Sequence, residues 1–169
     1  YRDRRQRQMC IRDSYITTGT GYATHDFNWI SRNIPSELNA QLIDVTSSNA
    51  VLSLFGPNAR DILQVVTVND VSDNGHPFGS ARQISIAGCL VLAMRITYVG
   101  ELGWELHLPV DYAQTVYNKL IEAGSPLGLR NAGYRAIETL RLEKGYRAWS
   151  SDIGPCLLYT SDAADDRDS

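Results

Sequence analysis

The stretch from Leu90 to Pro109, LVLAMRITYVGELGWELHLP, constrains this chain more than any other. Val91 to Val99 is rich in β-branched and apolar residues, and Trp104 to Leu108 alternates apolar with polar, the pattern of a strand with one wet face. Gly100-Glu101-Leu102-Gly103 reads as a tight turn between them. The sequence therefore predicts a hairpin with Val99 opposite Trp104 and Tyr98 opposite Glu105. Opposed side chains share a face of the sheet, so the Tyr98 phenol and the Glu105 carboxylate would emerge together. Val99, Trp104, Leu106 and Leu108 would enter a core. Two readings of Tyr98 and Glu105 stand open: a small polar site, or a cross-strand pair on a wet surface of the kind that contributes little. His107 lies two residues from Glu105 and shares its face, either lining the same site or simply exposed.

The remaining pattern predicts short strands and helices in alternation. Tyr15 to Thr20, Gln41 to Val45, Ala50 to Phe55 and Arg82 to Ala87 read as further strands. A helix is expected from His25 to Ile34, capped by Thr24, with Asp26 in its first turn and Phe27, Ile30 and Ile34 inward. Gly56-Pro57 should open a second helix with the stripe Ala59, Ile62, Leu63 and Val66. Pro109 and Asp111 should open a third, with Tyr112, Val116, Leu120 and Ile121 inward and Gly124 closing it. Gly133 to Lys144 is expected as the last helix, with Ala136, Ile137 and Leu140 buried. Val71 to Ser80 (VSDNGHPFGS) reads as a loop. Strands mostly in runs, with helices between some of them, indicate an α+β fold with a largely antiparallel sheet and packed helices.

The ends differ from the middle. Residues 1–14 carry a net charge of +3 and residues 156–169 a net charge of −3, which leaves the body at the same −3 as the whole chain. MCIRDS and CLLYTSDAADD resemble translated sequencing-adapter read-through, so 1–14 and 156–169 are expected to be non-native tails, with 15–155 as the domain. The mild acidity gives no electrostatic reason to expect nucleic acid or an anionic membrane. The longest apolar run, Ile84 to Ile96, is broken by Ser85 and Arg95 and is too short for a bilayer. Residues 1–14 lack the apolar stretch of a secretory leader. Cys89 is the one cysteine in the body and is expected as a buried thiol, with no metal site or disulfide.

Gly19-Thr20-Gly21-Tyr22-Ala23-Thr24 approaches the dinucleotide fingerprint, but Thr24 stands where the third glycine belongs. Thr17 and Thr18 sit where a buried parallel strand should be apolar. No nucleophile elbow, H-E-x-x-H or C-x-x-C is present. Arg135 is unusual, because a cation in the first turn of a helix opposes the dipole. It either pairs with Glu138 or belongs to a site that needs a planar guanidinium.

TYVGELGWELHLP (97–109), followed by NAGYRAIETLRLEKGYRAWSSDI (131–153), closely resembles the folate-binding domain of the glycine-cleavage T-protein (aminomethyltransferase) family. Within it the likeness is to the branch fused to FAD-dependent dehydrogenases such as sarcosine and dimethylglycine dehydrogenases. SLFGPNARDIL (53–63) and GTGYATHDFNWISRNIP, from Gly19, look like the same branch. The resemblance spans roughly residues 15–155. It implies a GcvT-like folate-binding fold, tetrahydrofolate as cofactor, and Tyr98, Glu105 and Arg135 as its site residues. Glu105 would accept from the 2-amino and ring N–H groups of the pterin.

In such proteins an FAD domain, expected here in cis, oxidises an N-methyl amine, and the one-carbon unit is captured as 5,10-methylenetetrahydrofolate. The family's essential aspartate would lie upstream of Tyr15. Neither Asp26 nor Asp44 takes its role, no catalytic residue is assigned, and the fragment alone is expected to be inactive. The expected location is a bacterial cytoplasm or a mitochondrial matrix. Two alternatives remain: a noncatalytic regulatory or scaffold relative of the same fold, and a dinucleotide-binding module, which would require a parallel βαβ unit at Gly19 to Gly21.

Overall fold

A computed structural model of the protein describes residues 14–154. All of the two expected non-native tails except Ser14 lies outside the described residues. By its contacts the chain divides into two compact units, one ending at Val45 and one beginning at Thr46.

The first unit contains a 3-10 turn, Thr20–Tyr22, running into helix α1, Ala23–Asn33. The helix starts two residues before the expected His25, because the tight turn leads straight into it and Tyr22, not Thr24, occupies the cap. Asp26 does sit in the first turn, where its carboxylate accepts hydrogen bonds from the Thr18 hydroxyl and the His25 ring. Those bonds, Thr18 first, hold its pKa below the ordinary carboxylate value. Phe27, Ile30 and Ile34 are not buried. One helix without a sheet in its own unit has no second layer against which to bury that stripe. Neither Tyr15 to Thr20 nor Gln41 to Val45 forms a strand. Thr20 is drawn instead into the 3-10 turn that leads to α1, and neither segment enters a ladder. No parallel βαβ unit therefore stands at Gly19 to Gly21 among the described residues.

The second unit is built on a four-stranded sheet in the order β1-β4-β3-β2, antiparallel throughout. Its strands are β1 (Asn49–Phe55), β2 (Ala81–Ile86), β3 (Cys89–Met94) and β4 (Gly103–Pro109). Ala87 and Gly88, both at positive φ, close the β2–β3 hairpin as a two-residue turn of the type that matches strand twist. Three helices stand where helices were expected, with shifted ends: α2 (Ala59–Val66), α3 (Ala113–Gly124) and α4 (Tyr134–Glu143); α2 and α3 bury most of their expected stripes, whereas α4 does not. Gly56 and Pro57 form a turn ahead of α2, the Ala59 amide donating to the Gly56 carbonyl at 3.1 Å. Tyr112 lies in a separate 3-10 turn, Val110–Tyr112, and is exposed.

One face of the sheet carries the core. Leu54, Ile84, Ile86, Cys89, Val91, Ala93, Trp104, Leu106 and Leu108 pack against Ala59, Ile62 and Leu63 of α2 and Val116 and Leu120 of α3. Burial removes this apolar surface from water, the principal favourable term in folding. Cys89 is a free buried thiol, and desolvation pushes its pKa up. The architecture is α+β.

Candidate functional site

Strand β4 displays the alternation that its sequence promised. Trp104, Leu106 and Leu108 enter the core, so Glu105 and His107 lie on the opposite face. The register sets their neighbours: Ser53 of β1 and Met94 of β3 flank Glu105, while Val51 and Leu92 flank His107. Glu105 keeps 27% of its side chain exposed, whereas His107 keeps 5%. The expectation of an exposed histidine is therefore overturned. Its Nε2 stands 3.6 Å from Glu105 Oε2, an ion-pair distance longer than a hydrogen bond.

Tyr98 is not the cross-strand partner of Glu105; Met94 is. Strand β3 ends at Met94, and its continuation is drawn aside by another partner. The Arg95 amide donates to the Ser80 carbonyl at 2.9 Å, and the Arg95 carbonyl accepts from the Gly79 amide at 2.8 Å. The chain then crosses as a longer loop, Arg95 to Leu102, before re-entering the sheet at Gly103. Tyr98 rides on that loop, half-exposed, and faces the end of α4. Its ring meets Tyr146 edge-on at 6.2 Å, and the Arg141 guanidinium lies 6.0 Å from its centroid.

Arg141 is the residue that sequence reasoning missed. Its side chain is 1% exposed and binds three other parts of the C-terminal region. Nε donates to Glu138 Oε2 at 3.0 Å, with a second bond from the guanidinium to Glu138 Oε1. It also donates to the Tyr146 carbonyl at 2.9 Å and to the Asp152 carboxylate. Glu138, then Asp152, holds the guanidinium pKa above its ordinary value, so it stays charged. The Ala148 amide and Arg141 in turn hold Asp152 below the usual carboxylate range. Lys144 adds an ion pair with Glu101 at 2.9 Å, tying α4 to the Tyr98 loop.

Arg135 lies in the first turn of α4 and is exposed, its carbonyl accepting from the Thr139 hydroxyl at 3.1 Å. Glu138, the partner in one of the two readings open for Arg135, binds Arg141. Among the described residues, no hydrogen bond or ion pair joins Tyr98, Glu105 and Arg135. Ala136 and Leu140 are exposed and Ile137 is half-buried, because the inward phase of α4 runs through Arg141. A signal for this existed: Glu138 and Arg141 are three residues apart, the spacing at which helix side chains meet.

Beneath the site lies a second polar cluster. Arg95 donates to the His76 carbonyl at 2.7 Å and to Asp73 at 2.6 Å, and Arg60 binds the same Asp73 oxygen at 2.6 Å. The Arg95 guanidinium stacks 5.6 Å from the Trp104 centroid, and His76 meets Trp104 edge-on at 6.1 Å. Burial, more than any other cause, pushes the His76 pKa down. Among the described residues, no three His, Cys, Asp or Glu side chains cluster as metal ligands. Among the same residues, no helix is long and apolar enough to cross a membrane.

Comparison with known proteins places this geometry in context. Residues 9–157 match the model of the GCVT N-terminal domain. Sarcosine dehydrogenase of Mus musculus is 43% identical over 142 residues, covering 83% of this chain and 16% of that protein. Dimethylglycine dehydrogenase of Rattus norvegicus is 36% identical over 139 residues, covering 82% and 16% respectively. The pyruvate dehydrogenase phosphatase regulatory subunit of Mus musculus is 32% identical over 149 residues, covering 86% and 17%. The chain thus spans about a sixth of the length of these three relatives.

Proposed function

The chain belongs to the GCVT N-terminal domain family, and from that membership we propose that it is part of a tetrahydrofolate-binding domain. The parent protein is read as an FAD-dependent sarcosine- or dimethylglycine-dehydrogenase-type enzyme acting on an N-methyl amine. The FAD domain lies in cis, outside residues 15–155, and no residue of this chain is given a role toward it. The likeness to mitochondrial sarcosine and dimethylglycine dehydrogenases supports this reading and a matrix location in a eukaryote, or the cytoplasm in a bacterium.

The observation that carries the folate assignment is the placement of Glu105. Its carboxylate is partly exposed on the sheet face, with Met94 beside it on β3 and Ser53 on β1, and with the apolar Leu92 and Val51 one pair further along beside His107. A pterin has flat apolar faces and an edge of paired N–H donors, and a carboxylate on a face that also carries apolar side chains complements both. Glu105 would hold that edge. Tyr98 would contribute its ring and hydroxyl from the adjoining loop, and Arg135 its guanidinium from the start of α4. When bound, tetrahydrofolate supplies the acceptor for the one-carbon unit, which leaves as 5,10-methylenetetrahydrofolate. This chain's residues bind and orient; they are given no proton-transfer role.

Calorimetric titration of tetrahydrofolate into the complete polypeptide tests the reading. Glu105→Gln keeps the shape but replaces one acceptor oxygen with a donor that faces the pterin donors wrongly. The expected loss is about 1.5–3 kcal/mol, or roughly 10- to 150-fold in Kd. Equal affinity in the variant, or no binding by the wild type, overturns it. The second outcome favours a noncatalytic relative, a reading supported by the likeness to the phosphatase regulatory subunit.

A further inference from the structure

We propose that His107 is a positioning residue for Glu105, fixing which lone pairs of the carboxylate face the ligand; this rests on the reading of Glu105 as the folate carboxylate. The two side chains occupy alternate positions of β4 and so share one face of the sheet. They differ sharply in depth: the imidazole is 5% exposed and the carboxylate 27%. Glu105 thus stands at the rim with His107 set behind it. The imidazole Nε2 approaches Oε2 at 3.6 Å.

That contact has directional consequences. An ionised carboxylate offers about four lone-pair sites on two oxygens, and a ligand with two parallel N–H donors needs one site on each. Nε2–H can occupy one site on Oε2 from along the strand, leaving a site on each oxygen for the ligand. A free glutamate rotates about its terminal torsion, so a ligand would first have to arrest it. Restricting that rotation beforehand lowers the entropic cost of binding. Val51 and Leu92 are the register neighbours of His107 on β1 and β3, and its imidazole is buried between those strands. A rotamer locked from behind is the usual requirement for a precise polar contact. The separation exceeds a hydrogen bond, consistent with a contact that tightens when a ligand draws the carboxylate into line.

Two measurements on the complete polypeptide test the proposal. In the first, imidazole 15N chemical shifts are compared between wild type and Glu105→Gln, with no ligand present. The His107 resonances should move while those of His76, in the separate Arg95 cluster, stay in place. Unmoved His107 resonances overturn the pairing. The second is a binding cycle with tetrahydrofolate using His107→Leu and His107→Gln, each with and without Glu105→Gln. His107→Leu should weaken binding about tenfold, and His107→Gln, whose side-chain amide can donate in place of Nε2, should stay within about twofold. In the Glu105→Gln background, His107→Leu should add nothing beyond about twofold, because its effect passes through the carboxylate. A full additional loss in that background would show a structural role and overturn the proposal. Should His107→Leu fail to fold, the shift comparison and His107→Gln still decide. Absence of tetrahydrofolate binding by the wild type refutes the functional reading, and the shift comparison then judges the Glu105–His107 pairing independently.

Discussion

Replacing Gly103 by alanine probes how closely β4 and β1 lean together, which is what sets the position of Glu105 two residues later. Gly103 is paired with Phe55 in the register, and a Cβ built on it falls within contact range of the Phe55 ring and the Leu54 carbonyl oxygen. It also lies 3.0 Å from Phe55 Cα. Carbon contacts are comfortable near about 3.5–4 Å, so the two strands would have to part by roughly 1 Å. Two of the obstructing atoms belong to the β1 backbone, so a side-chain rotation cannot relieve the clash. Separation also pulls on the Gly56 amide, which donates to the Leu102 carbonyl at 2.8 Å just beyond the pair. Overpacking costs about 1–3 kcal/mol, and a lost or stretched hydrogen bond adds about 1 kcal/mol. The expected destabilisation is therefore about 2–4 kcal/mol, or roughly 5–12 °C in Tm for a chain of this size. Differential scanning fluorimetry of the complete polypeptide measures it. Gly21→Ala is the control, since a Cβ there meets nothing within 4 Å. A Gly103→Ala Tm within about 2 °C of wild type would show that β1 and β4 do not approach as described.

Arg141→Met should lower Tm by several degrees and loosen the 146–154 segment to proteolysis, whereas Arg135→Met should leave Tm within error; similar melting for both would refute the unequal roles assigned to them. Burial holds the His76 imidazole below its ordinary 6.5, so the unfolded chain binds the proton more tightly than the folded one. Stability should therefore fall as pH drops through about 6.5 toward the depressed folded value, and His76→Phe should flatten that fall in urea midpoints measured near pH 7.5 and near pH 5.5. Asp73 and Asp152, whose folded pKa values are depressed, lose their contribution only further down, as pH falls below the ordinary 3.8 through their folded values.

The strands of the second unit and its helices α2 and α3 were legible because each has a partner that rewards its period. Ala59, Ile62 and Leu63 repeat at helical spacing and are buried as that spacing requires. Trp104, Leu106 and Leu108 alternate and enter the core. The hairpin that joins them was legible in parity but not in length. Glu105 faces Met94 where Tyr98 was expected, a slip of four residues along β3. An even slip preserves the face, so Glu105 still points away from the core although its neighbour changed. What moved the neighbour was the pairing of Arg95 with Gly79 and Ser80, a contact between segments far apart in sequence. Local residue preference along Val91 to Val99 carries no information about that competing edge.

The Tyr98 end of the site was misread through a single helical phase. Taking Leu140 as inward put Arg141 in water and left Arg135 in search of a partner. Turning α4 by one residue, about 100°, brings Arg141 inside and Leu140 out. Hydrophobicity alone favours the wrong phase, because it counts a leucine as buried and an arginine as exposed. The buried alternative becomes favourable only when Glu138, Asp152 and the Tyr146 carbonyl converge on the guanidinium, since an unpaired buried charge would be prohibitive. Two of those three groups come from beyond the helix, in a segment whose path no period announces. The same logic separates the two arginines in function. Arg141 is saturated by protein acceptors and fixes where Tyr98 and residues 146–154 lie. Arg135 is proposed for the ligand instead on the ground of its exposure in the first turn of α4.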